Sequence, residues 1–358
     1  MSPRPRRCRL IPRCLPVIVL AAGTLTASAQ NPASDLLTQA MALAARGELG
    51  QAEILLEQAR SAAPHNIEVL TALAKVKDRV GESQDAIAIF RQVADATPRS
   101  GEAHLNLAMA LADSKDLTGA LDEATEAVEL SPKLASARLN RARILADMHR
   151  TDEARTEFAL ATRLAPTNAD GFFYWALVEQ EKENFLKESS LLQTVVRLQP
   201  NNAKALNLLG GSLWNESKED EAIAVWRRVL KIDPNASEAT YSLALALRNK
   251  DSQESRLLMQ RFHALQQQEK TVKQVNDLGN QAYHAINNRQ WPDAISLMRQ
   301  ALALCGDCQY EATLHKDLGL ALCQSGDTRQ GETELRMAHQ LNPADPDILK
   351  ALAAIHHP

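Results

Sequence analysis

Pro64, Pro98, Pro132, Pro166, Pro200 and Pro234 follow one another at a constant interval of 34 residues. A chain that copies itself at this period folds as stacked modules, because a module of that length cannot bury its apolar face alone and must lend it to a neighbour. The residue types name the secondary structure of the module. Hydrophobic residues make up 45% of the chain while aromatics are only 4%, so Ala and Leu carry the apolar surface, and runs of β-branched or aromatic residues are missing. The expected fold class is therefore all-α.

With each proline counted as position 32 of a repeat, seven repeats fill residues 33–270, an eighth fits 275–308 after four inserted residues, and a ninth fits 312–345 after three more. Position 8 is small in all nine: Ala40, Ala74, Ala108, Ala142, Ala176, Gly210, Ala244, Ala282 and Gly319. Position 20 is small in seven, Glu188 and Arg256 being the exceptions, and position 24 carries bulky fillers such as Phe90, Phe158 and Trp226. Small residues facing each other with a large one beside them allow two antiparallel helices to approach closely. This pattern resembles the tetratricopeptide repeat family. The resemblance implies a right-handed α-solenoid of about nine helix pairs, with an extended concave surface lined by the first helix of each pair.

Two places break the period. In the seventh repeat Arg256, Gln260, His263 and Gln268 replace the small, bulky, small and proline residues, yet Leu258, Phe262, Leu265, Val272, Val275, Ala282 and Ile286 continue an apolar helical stripe. The reading is one long helix, or two in line, joining an array over 30–270 to a second segment over 271–358; a polar linker at Gln266 to Lys270 is the alternative. At the end of the chain, Asp345 and Asp347 can cap a last helix from Pro346 to His356 that covers the ninth repeat with Leu349 and Leu352.

The first 29 residues have a different character. Arg4, Arg6, Arg7, Arg9 and Arg13 precede an apolar run from Leu15 to Leu25 and then Ala27-Ser28-Ala29. This order reads as a secretory signal peptide cleaved before Gln30, and so as a periplasmic or secreted protein; an uncleaved anchor is the alternative, its apolar run being short against the ~20 residues that span a bilayer. Cleavage removes five cations and no acid, leaving 35 Lys and Arg against 44 Asp and Glu, a net charge of −9. With no basic stripe to neutralise phosphates, nucleic acid is not an expected partner.

Catalytic patterns are missing: there is no HExxH, no GxSxG and no phosphate-binding glycine loop, and the acids lie scattered beside Lys or Arg. The expectation is a protein without enzyme activity, metal or cofactor. Cys8 and Cys14 leave with the signal peptide, and Cys305 and Cys308 flank a turn between the eighth and ninth repeats. A structural disulfide in an oxidising compartment is one reading of that pair, a thiol-redox site another, and zinc with His315 and Cys323 a third.

Recognition is the chemistry that remains. In the family resembled here it resides at positions 2, 5, 9 and 12 of the first helices, with position 6 beside them. Arg143, Phe173, Tyr174, Leu177, Lys204, Asn207, Trp214, Tyr241 and Arg248 occupy these positions from the fourth to the seventh repeat, and the aromatics gather in the fifth to seventh. The expected function is a scaffold that holds a protein or peptide segment in this groove, within a cell-envelope assembly; a structural, self-associating array is the alternative. The cations suggest an acidic segment. The Lys and Asn clamp that some members use for a terminal carboxylate is absent, since Leu37 and Met41 stand at positions 5 and 9 of the first repeat.

Overall fold

The computed structural model describes residues 32–306 and 308–356. The expected signal peptide at 1–29 lies outside the described residues. Eighteen α-helices and no strand are found among them, in antiparallel pairs that pack consecutively along the chain. They divide into two compact units, one ending at Leu160 and the other beginning at Ala161.

The first unit holds α1 (Pro32–Ala45), α2 (Leu49–Ala62), α3 (Ile67–Val80), α4 (Ser83–Ala96), α5 (Gly101–Asp113), α6 (Leu117–Leu130) and α7 (Ala135–Asp147), and α8 (Thr151–Leu164) carries the chain out of it. The small residues predicted to face each other, Ala40 and Ala52, Ala74 and Ala86, Ala108 and Ala120, are fully buried. First helices also touch, α1 with α3 and α5 with α7, forming an inner layer. Asn66 caps α3 by accepting from the amides of Glu68 and Val69, and Ser100 caps α5 through Ala103, each standing two residues after its repeat proline. A polar staple reinforces the second repeat: buried Lys77 donates to Glu53 at 2.7 Å and Glu82 at 2.6 Å.

The second unit contains α9 (Ala169–Glu181), α10 (Phe185–Leu198), α11 (Ala203–Asn215), α12 (Glu219–Ile232), α13 (Ser237–Ala246), α14 (Ser252–Asn287), α15 (Trp291–Cys305), α16 (Glu311–Ser325), α17 (Thr328–Leu341) and α18 (Pro346–His356). Here too first helices meet, α11 with α13. One conformational rule runs through both units. Position 15, in the turn between the two helices, has positive φ in eight repeats: Gly47, Gly81 and Gly326, but also Lys115, His149, Glu183, Ser217 and Arg289.

The seventh repeat is the one without it, and its helix register changes as a result. Asp251 there has φ −143° and caps α14 through the amides of Gln253 and Glu254. The second helix starts one residue early in phase, so buried Ser255, not Arg256, takes the small position and donates its hydroxyl to the Ala244 carbonyl at 2.7 Å. Arg256 is exposed. From this start α14 runs unbroken for 36 residues, with Gln266 to Lys270 helical and exposed.

Two further observations adjust the sequence reading. Asp345 does cap α18, but the phase it sets buries Ile348 to 1% exposure and leaves Leu349 48% exposed, with Leu352 half-buried. Ile348 therefore does the covering assigned to Leu349. Cys305 and Cys308 are joined in a disulfide, with Cα atoms 5.1 Å apart, and Cys323 is free. Among the described residues no helix is long and apolar enough to cross a membrane, and no group of three or more His, Cys, Asp or Glu could hold a metal.

Candidate partner-binding groove

In the second unit the predicted stripe occupies one face of α9, α11 and α13, because positions 2, 5, 9 and 12 share a side of a 3.6-residue helix. An open groove of about 480 Å³ runs along it. Asn207 on α11 and Tyr241 on α13 line this groove, with Gln180, Gly211 and Glu238 from the same stripe.

Asn207 is fixed on two sides. Its backbone carbonyl accepts from Trp226 Nε1 at 3.3 Å, and its Nδ2 donates to Glu238 Oε2 at 2.9 Å. Its Oδ1 is buried and has no hydrogen-bond partner. Tyr241, 41% exposed, lies against Phe262 of α14 with ring centroids 4.8 Å apart, and together they form an apolar wall.

The other predicted residues fall around this centre rather than in it. Lys204 places its ammonium 5.4 Å from the Phe173 ring, and Phe173 meets Tyr174 edge to face at 5.9 Å. Leu177 is half-buried, and Arg248 is exposed just beyond α13. Trp214, 37% exposed, does not line the groove; its ring lies 6.0 Å from that of Trp226, whose buried indole does. Arg143 belongs to the first unit, where it lines a separate small groove with Met109 and Asn140.

Sequence reasoning missed three features. Glu238 occupies position 2 of the stripe and sets a carboxylate inside the groove, whereas Lys204 is turned onto an aromatic face. The lining is thus not cationic, and the expected preference for an acidic segment loses its basis. Gln180 and Gly211 were legible from their stripe positions. Phe262 and Gln266 were not, since they arrive on α14 only through the altered phase of the seventh repeat.

A family profile described as Tetratricopeptide repeat matches residues 71–135, 189–237 and 212–268. The Peroxisomal targeting signal receptor of Saccharomyces cerevisiae is 34% identical over 68 residues, an alignment that spans 19% of this chain and only 11% of the receptor. Among solved structures, Pseudomonas aeruginosa pilF is similar over 58% of this chain and 95% of its own length, with a TM-score of 0.52 and 18% identity. A tetratricopeptide repeat protein from Parabacteroides merdae covers 91% of this chain and 99% of its own, at a TM-score of 0.47 and 12% identity.

Proposed function

We propose that this chain, whose helix pairs and profile-matched segments are those of tetratricopeptide repeats, is a protein-interaction scaffold whose second unit holds a partner segment against α9, α11 and α13. The carrying observation is Asn207, pinned by Trp226 and Glu238 beside the apolar wall of Tyr241 and Phe262. A segment that presents an N–H to the Glu238 carboxylate and an apolar side chain to Tyr241 complements both. The Glu238 carboxylate favours a neutral or basic segment over an acidic one. The stretch similar to a receptor for a targeting signal supports the same reading, that a peptide segment of another protein is the ligand.

The place of action in this proposal is the cell envelope, on the strength of the arginine-rich, apolar and Ala27-Ser28-Ala29 order at the amino terminus. Mass spectrometry of the envelope fraction then finds a chain beginning at Gln30; intact Met1 in soluble cytoplasm contradicts it. The binding role is tested by placing a benzoylphenylalanine cross-linker at position 241. The proposal expects one partner segment to be captured there on illumination in cells, and not from the same probe at exposed Leu186. Capture from position 186 alone would argue for the opposite face.

A further inference from the structure

Four residues at departures from the 34-residue period, scattered in sequence, meet on one groove. Gln268 stands where the repeat proline is expected, Val272 and Lys273 belong to the four inserted residues, and Gln309 opens the three-residue insertion. All four line an open groove of about 670 Å³ along α14, which shares no lining residue with the groove of α9, α11 and α13. The family pattern needs none of these residues. We propose that this groove is a second binding site, for a short extended peptide segment that carries a basic side chain and is read mainly through its main chain.

The lining chemistry carries the choice of ligand. Four carboxamides, those of Asn235, Gln268, Asn276 and Gln309, face the groove. A carboxamide both donates and accepts, which matches the alternation of N–H and C=O along an extended chain. None of the lining residues is aromatic, so there is no ring for a sugar or base to stack on. Glu269 and Asp277 outnumber Lys273, which gives the groove a net negative lining and a place for one cation. From Leu265 to Asp277 the helix advances about 18 Å, room for roughly five extended residues.

The wall is also held in advance of binding. Cys308 is tied by its disulfide to Cys305 at the end of α15, and Cys305 is buried with Val275, Ala301 and Leu314. A fixed wall reduces the ordering cost of association. The disulfide itself is not assigned exchange chemistry: Cys305 closes a helix at its carboxyl end, where the dipole disfavours the thiolate that would have to leave.

The test uses fluorescence anisotropy with a fluorescein-labelled, end-blocked peptide, Thr-Val-Thr-Arg-Thr-Val-Thr, and the same peptide methylated at alternate amide nitrogens. The full-length protein binds the first peptide and not the methylated one. Gln268→Ala combined with Asn276→Ala, both exposed positions, weakens binding by about tenfold or more with an unchanged circular dichroism spectrum, as loss of two hydrogen bonds requires. Tyr241→Ala leaves it unchanged, which separates this site from the proposed partner groove. The proposal is overturned if the native protein gives no binding up to about 1 mM peptide, if the double variant binds equally well, or if methylation has no effect.

Discussion

A β-carbon built on Gly210 would fall 2.5 Å from Nε1 of Trp226. The sixth repeat thus requires glycine at position 8, because its partner at position 24 is an indole whose N–H also reaches the Asn207 carbonyl. Gly210→Ala should destabilise the protein by about 1–3 kcal/mol through overpacking, and Trp226→Ala by roughly 3–5 kcal/mol through the cavity it leaves. Trp214→Ala removes a half-exposed ring that packs on Trp226 and should cost roughly 1–2 kcal/mol. Urea unfolding of the three variants checks this order. Equal stability of Gly210→Ala and wild type would show that the indole can move aside.

Position 15 supplies a prediction of opposite sign. Lys115, Glu183 and Ser217 hold φ of 71°, 55° and 63°, a region in which a β-carbon is strained. Glycine relieves the strain while loosening the unfolded chain, so each of Lys115→Gly, Glu183→Gly and Ser217→Gly should stabilise by a few tenths to about 1 kcal/mol. The sites are in different repeats and their effects should add. Asp251→Gly is the control. Its φ is −143° and it caps α14, so the same change there should destabilise, by a few tenths of a kcal/mol. Thermal melts of the four variants report both signs.

Glu188 ties stability to pH. It occupies position 20, where the repeat asks for a small residue, and is only 1% exposed. Burial pushes its carboxyl up, the nearby Glu216 adds to this, and the Ser212 hydroxyl offsets part of it. Glu216 is also buried, but Lys218 at 2.7 Å and Ser189 hold it below the usual carboxylate range. A carboxyl whose folded pKa is raised contributes stability below its unfolded pKa of about 4.3, and that contribution is lost as pH rises through the folded value. Glu188→Gln keeps a hydrogen-bonding group without the charge. Its unfolding free energy should therefore gain on that of wild type as pH rises above the unfolded pKa of about 4.3. A difference independent of pH would mean that Glu188 ionises in the folded protein as freely as in the unfolded one.

The repeats were legible because each is a copy, and nine small residues at one position leave little freedom in how the helices pair. Trp226 could be placed as the filler of the sixth repeat for the same reason, and the long α14 followed from its apolar stripe. The phase of α14 was not legible. It depends on a turn that omits its left-handed residue, and neither Ser255 nor Arg256 betrays in its identity which of them will face Ala244. The candidate groove was read in outline, since Asn207 and Tyr241 lie where the stripe puts them. Its charge was misjudged because Lys204 has an aromatic face to lie on, and only the fold shows that Phe173 provides it.

Binding in the groove of the second unit is tested most directly by one comparison. The partner segment captured from position 241 is synthesised, and its affinity is measured by calorimetry for wild type, Tyr241→Ala, Asn207→Leu and Met41→Ala. Tyr241→Ala and Asn207→Leu should each weaken binding by roughly tenfold to a hundredfold, about 1.5–3 kcal/mol. Met41→Ala, on the exposed inner face of the first unit, should leave affinity unchanged. If Met41→Ala abolishes binding while the two second-unit variants bind as wild type does, the partner groove has been assigned to the wrong unit.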